Sequence, residues 1–304
     1  MLSSLSAPVL ASAVALVSAC GFAVSTSLQH RVAGTAPDTL TSGVRILLHV
    51  VRRPLWLLGS VTGAAALCLH ALALKLGAIA LVQPLMLAGV VLAVLVRAGL
   101  DRRLPLRAEL SAVLLTTVAL AVFLAVANPQ PSPTPPDLGF AGLVVVAGFV
   151  VSGIVTAVGK RVTSPDVAAL LLGVAAGTLF GLTAGLMKLI GSGFDSHDIA
   201  ASVFGWPLLA MVVAGVAATA INQRAYQIAA LAKSMPVLNV VDVLVAVLFG
   251  RVVFGERPAH GAAALVVQAV AMVFLAIGLR RLALLETPQE VPAEVPSVAG
   301  EPVP

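Results

Sequence analysis

The chain has 304 residues, of which 60% are apolar and only 10% charged, with a mean hydropathy of +1.07 and a formal charge of +5. Charged residues normally supply about a quarter of a globular chain, so a water-soluble domain is excluded and lipid must be the solvent for most of this one. The basic residues sit in short clusters between long apolar runs, a pattern that orients a chain in a bilayer rather than one that binds nucleic acid.

A spanning helix needs about 20 mainly apolar residues, and nine segments meet or approach that length: 9–28, 55–74, 76–96, 110–127, 138–158, 167–190, 203–221, 228–249 and 261–279. The first contains Val17-Ser18-Ala19-Cys20, which has the form of a lipoprotein cleavage box. A signal peptide opens with a positive stretch, and no Lys or Arg precedes this box, so the segment is expected to remain as the first helix. Cys20 and Cys68 lie in apolar runs with no metal-like neighbours and are expected to be ordinary core residues.

Residues 31–54 are too charged to span and read as an amphipathic surface segment with 44–51 as its apolar part. A re-entrant segment at 32–53 is the alternative. Only Lys75 separates the second and third helices, which therefore form a tight hairpin or one interrupted unit. The loop 128–137, NPQPSPTPPD, is half proline, forbids helix and reads as a stiff midpoint linker. The tail 282–304 is rich in Pro and Glu, lacks an apolar period and is expected to be disordered.

Placing the N-terminus outside puts most of the basic residues on the cytoplasmic side, among them Arg31, Arg52, Arg53, Arg102, Arg103, Lys160, Arg224 and Arg280. The Pro-rich loop is then outside and the C-terminus in the cytoplasm, in a plasma membrane.

A shift of 152 residues carries Ala73, Ala78, Ala80, Pro84, Val91 and Leu92 onto Ala225, Ala230, Ala232, Pro236, Val243 and Leu244. Each half thus holds a hairpin with a proline expected near mid-membrane. Upstream, with one extra residue, Arg53-Pro54-Leu55 faces Trp206-Pro207-Leu208. Helices two to four then correspond to seven to nine, five crossings apart, and an odd separation inverts their orientation. The expected fold is an all-α integral membrane protein of about nine transmembrane helices. They form a four-plus-five inverted-repeat transporter architecture: a first repeat at 1–127, the linker 128–137, a second repeat at 138–281 and the tail.

Pro84 and Pro236 each free the carbonyl four residues earlier, which can face a solute or mark a packing kink. Gly173, Gly177, Gly181 and Gly185 in helix six form a small-xxx-small ladder for close helix packing. Ionisable groups inside membrane helices are costly and mark functional candidates: Lys233 and Asp242 in helix eight, Lys188 in helix six and His70 in helix two, joined by the polar Gln83 and Asn239. Lys188 and His70 have a second reading as groups that snorkel to the surface. Asp242 reads as the only carboxylate deep in any helix and, three residues from Asn239, shares its helix face. Lys233 lies nine residues away, about 13 Å along a regular helix, so Lys188 is the expected partner of Asp242. A buried structural ion pair is the bland alternative.

The runs Arg52-Arg53-Pro54-Leu55-Trp56, Ala71-Leu72-Ala73 through Leu81-Val82-Gln83-Pro84-Leu85, and Phe254-Gly255-Glu256 followed by Gly261 resemble the drug/metabolite transporter superfamily, which includes the EamA-type permeases. The nine-helix count is most similar to its magnesium-transporter-like NIPA branch. The resemblance covers nearly the whole chain. Its Gly-Glu turn matches Gly255-Glu256, whereas Arg103-Leu104 stands at that place in the first half.

No metalloprotease, nucleophile-elbow, P-loop or dinucleotide motif is present, and the five His are scattered, so neither an enzyme, a cofactor nor a resident metal is expected. The expected function is gradient-driven transport of a small metabolite by alternating access. A divalent-cation permease is the alternative, disfavoured by the scarcity of deep carboxylates. A non-transporting scaffold or accessory subunit is the alternative of another class. The expected partners are the lipid bilayer and a small-molecule or ion substrate, with a homodimer left open and no nucleic acid.

Overall fold

The computed structural model describes residues 2–33, 53–102, 104–127, 136–193, 205–229, 231–257 and 261–286. Residues 34–52 of the surface or re-entrant segment, 128–135 of the linker and 287–304 of the tail fall outside the described residues, whereas 282–286, expected in the disordered tail, continue the last helix with Leu282 and Ala283 buried. The described chain is helical: α1 Leu2–Ala33, α2 Pro54–Leu76, α3 in two pieces (α3a Ile79–Met86 and α3b Ala88–Leu100), α4 Arg107–Ala127, α5 Leu138–Gly159, α6 Pro165–Gly193, α7 Trp206–Ile228, α8 Leu231–Val253 and α9 Ala262–Glu286. Counting Ile79–Leu100 as one span, nine of these are long and apolar enough to cross a bilayer. The chain is a multi-pass, all-α membrane protein.

The packing is inside-out relative to a soluble protein. Large aliphatics such as Val9, Leu143, Leu209 and Val216 are two-thirds exposed, toward lipid, while Ala11, Ala15, Ala19 and Ala23 line a buried stripe of α1. Lipid tails solvate Leu as well as another helix does, so helices associate where small residues let backbones meet and polar groups can pair. Ser18 Oγ accordingly donates 2.7 Å to the Ala66 carbonyl of α2. Cys20 and Cys68 are exposed rather than core residues, because both fall on outer helix faces.

The small-residue ladder works in the same way. α6 lies at the centre, with most of its residues buried. A Cβ on Gly173, Gly177 or Gly181 would stand 2.8, 2.5 or 2.6 Å from the carbonyl oxygens of Ser234, Leu238 or Asp242, and one on Gly185 would overlap the Phe249 ring. α6 and α8 therefore run parallel with their backbones in contact. α1 and α3 form a second parallel pair, with Ala11 against Gly77, Ala19 against Gly89 and Arg31 against Asp101.

The hairpin bounds repeat residue for residue. α2 and α7 both have 23 residues, and each is followed by an extended cap residue, Gly77 or Ala229. The cap N–H groups reach the Ala73 and Ala225 carbonyls at 2.9 and 3.2 Å. Every one of these positions differs by the same 152-residue shift. No extra residue is needed upstream, because Pro54 and Pro207 are simply the first and second residues of their helices, where the missing N–H costs no bond.

Further expectations are corrected. Lys75 does not divide the second and third helices; it lies in the last turn of α2, and the break falls at Gly77-Ala78. Pro84 and Pro236 do not lie at the middle of their helices but sixth in α3a and α8, inside the second turn. The two prolines also differ in consequence: α3 breaks at Leu87, whereas α8 continues from Leu231 to Val253.

Candidate functional site

Gln83 is one of the residues that join the two halves. It is buried on α3a, and its Nε2 donates 2.9 Å to Asp242 Oδ1 on α8. Its side chain also stands beside the His70 imidazole of α2, whose other neighbour is the Phe22 ring, edge-on at 6.5 Å between centroids. The result is a file of three polar side chains, His70, Gln83 and Asp242, drawn from three helices. Gln83 Oε1 and His70 Nε2 are buried, and apart from the Gln83–His70 contact neither has a hydrogen-bond partner; such atoms are costly unless something fills them. The file can therefore accept hydrogen bonds from a solute or water, beside a carboxylate.

Other predicted residues sit elsewhere. Asn239 does not join a patch with Asp242: its amide turns back 2.8 Å to the Met235 carbonyl of its own helix, one turn from Pro236. Lys233 lies on α8, and its side chain is outside the described set. Lys188 does not snorkel to the surface but is buried on α6; His70 is half-buried, with its Nε2 atom covered.

Lys188 is also not the partner of Asp242. It sits further along α6, 2.5 Å from Glu256 Oε1, 2.7 Å from the Gly77 carbonyl and 5.2 Å from the Phe254 ring centroid. Glu256, 1% exposed, is the more deeply buried carboxylate, so Asp242 does not stand alone. Its position follows from local chain geometry: Gly255 has φ 66°, a left-handed conformation that favours glycine. That turn brings the Glu256 N–H 3.1 Å from the Gly250 carbonyl and sends the carboxylate back toward the bundle. There it accepts the first N–H groups of α3a, Ile79 at 2.9 Å and Ala80 at 3.4 Å. A carboxylate at a helix N-terminus satisfies orphan donors and complements the dipole. Residue-type reasoning missed Glu256 as a site residue because it follows its helix; the Gly-Glu turn was the available signal.

No family model matches the chain, and no solved structure matches it. It is similar to an uncharacterised protein of Corynebacterium glutamicum, with 27% identity over 243 residues, covering 80% of this chain and 84% of the relative. The likeness thus extends along most of both chains, and it carries no statement of function.

Proposed function

We propose that the chain is a secondary transporter that moves a small polar metabolite across the plasma membrane by alternating access between two inverted repeats. The observation that carries this reading is the His70, Gln83 and Asp242 file, in which α3a, lying between α2 and α8, brings buried hydrogen-bonding atoms beside a carboxylate. Coincident hairpin bounds support the repeat. The parallel pair α1/α3 and the parallel pair α6/α8 run in opposite directions, as the Gln83–Asp242 and Ile79–Glu256 contacts require. Transporters with inverted repeats bind solute at the repeat interface. The resemblance to the drug/metabolite transporter superfamily agrees with this reading. The solute suited to the file carries N–H or O–H donors, because Gln83 Oε1 accepts.

The test is a thermal-shift screen of purified protein against metabolites, amino acids and divalent metals, followed by uptake into proteoliposomes. A true solute at about 100 times its Kd stabilises the native state by about 2.7 kcal/mol. It should shift the parent and not the Gln83→Leu protein, and it should be accumulated. A shift by magnesium alone would favour a cation permease; no uptake of any solute that binds would leave a scaffold.

The N-terminus is assigned to the outside on the basic-residue distribution. A cysteine placed at Ser132 should react with an impermeant maleimide in intact cells, and one at Arg102 only after permeabilisation. The reverse pattern would overturn the orientation.

A further inference from the structure

The two ends of the bundle carry related ion pairs in different states. At the end where α1 and α3 begin and α6 and α8 finish, Lys188 and Glu256 are buried. They bind each other and, across the two halves, the Gly77 carbonyl and the N–H groups of Ile79 and Ala80. At the opposite end, Arg31 near the end of α1 faces Asp101 just after α3b at 3.6 Å and donates 2.8 Å to the Leu100 carbonyl. Both side chains there are about half exposed, 50% and 45%.

The two pairs occupy comparable places but not the same repeat position: the 152-residue shift carries Glu256 onto Leu104, three residues after Asp101. Each joins a cation late in the first helix of a parallel pair (α1/α3 or α6/α8) to a carboxylate in the turn after the second. Each turn also holds one left-handed residue, Arg102 at φ 51° and Gly255 at φ 66°. Their surroundings differ: α3a packs on α8 beside Glu256, while among the described residues α3b makes no comparable contact with α8. The 152-residue shift carries Gly77, Ile79 and Ala80 onto Ala229, Leu231 and Ala232, at the start of α8, the same end of the bundle as Asp101.

We propose that these pairs are reciprocal latches. Lys188–Glu256 closes its end by capping α3a in the conformation seen here. In the opposite conformation Asp101 caps α8 at Leu231 and Ala232, Arg31 binds the Ala229 carbonyl, and the Lys188–Glu256 pair releases α3a. This rests on the alternating-access reading, but its mechanics can be read without a solute. Two packings that differ by a few kcal/mol interconvert readily, and loss of the contact holding one shifts population to the other.

The test uses the full chain in proteoliposomes with the cysteine pair Ala98→Cys and Leu231→Cys, equivalent by the shift to the contacting Gly250 and Ile79. Cys20 and Cys68 are replaced by serine. Oxidative cross-linking should be slow with both latches intact and about tenfold faster with Glu256→Gln, and adding Asp101→Asn should return it to the slow rate. A rate unaltered by Glu256→Gln overturns the proposal. Should that protein fail to assemble, Asp101→Asn alone, at a half-exposed site, should slow the basal cross-linking about tenfold, and an unaltered rate there overturns it equally. Latch-dependent cross-linking without uptake of any solute would sink the transport reading and leave the latches standing. Uptake with latch-independent cross-linking would do the reverse.

Discussion

Replacing Lys188 by Met is expected to cost about 3–5 kcal/mol of stability, because it strands a buried carboxylate. Glu256 would keep the Ile79 and Ala80 N–H groups but lose the ammonium 2.5 Å away, and at 1% exposure water cannot replace it. Replacing Glu256 by Gln strands the ammonium instead, with the Gly77 carbonyl and the Phe254 ring left as its neighbours. The double exchange removes both charges while Gln Oε1 still accepts from Ile79, so most of the loss should return, to within about 1–2 kcal/mol of the parent. Thermal unfolding of the four proteins in one detergent measures this coupling. Running the cycle in Asp101→Asn protein removes the proposed competing closure, so the loss reads as stability. Strictly additive single losses would show that the two groups do not depend on each other.

Exchanging Asp242 for Asn should leave assembly intact and abolish most transport. Asn keeps the shape and can still accept from Gln83 Nε2 through its own oxygen, so the contact between α3a and α8 survives. It loses the charge that would face a solute's donors. A hydrogen bond to a charged group contributes about 1.5–3 kcal/mol, hence roughly 10–100-fold in solute affinity. Uptake and thermal stability measured on the same preparation separate the two roles. Large destabilisation with proportionate loss of uptake would make Asp242 a packing residue. Lys188→Met should give no rescue of Asp242→Asn, since Lys188 is engaged with Glu256 and Gly77; a rescue would contradict that geometry.

What the sequence determines by itself is set by solvent and by local backbone chemistry. Apolar runs longer than a bilayer is thick leave the chain only the helix as a spanning form, since backbone groups in lipid must bond within their own segment. All nine spans were therefore legible, as was the 152-residue shift of the hairpin, in which α2 and α7 keep equal lengths. The ladder from Gly173 to Gly185 announced a close approach in advance, since only absent side chains permit one. Pairing was not legible. Lys188 lies 68 residues from Glu256, and Gln83 lies 159 from Asp242; nothing local distinguishes either contact from Lys188 with Asp242. Helix rotation, the break at Gly77-Ala78 and the left-handed turn at Gly255 decide which side chains meet. Those are settled only when the helices pack, where the cost of leaving a buried charge or N–H unmet selects among arrangements that hydropathy treats as equal.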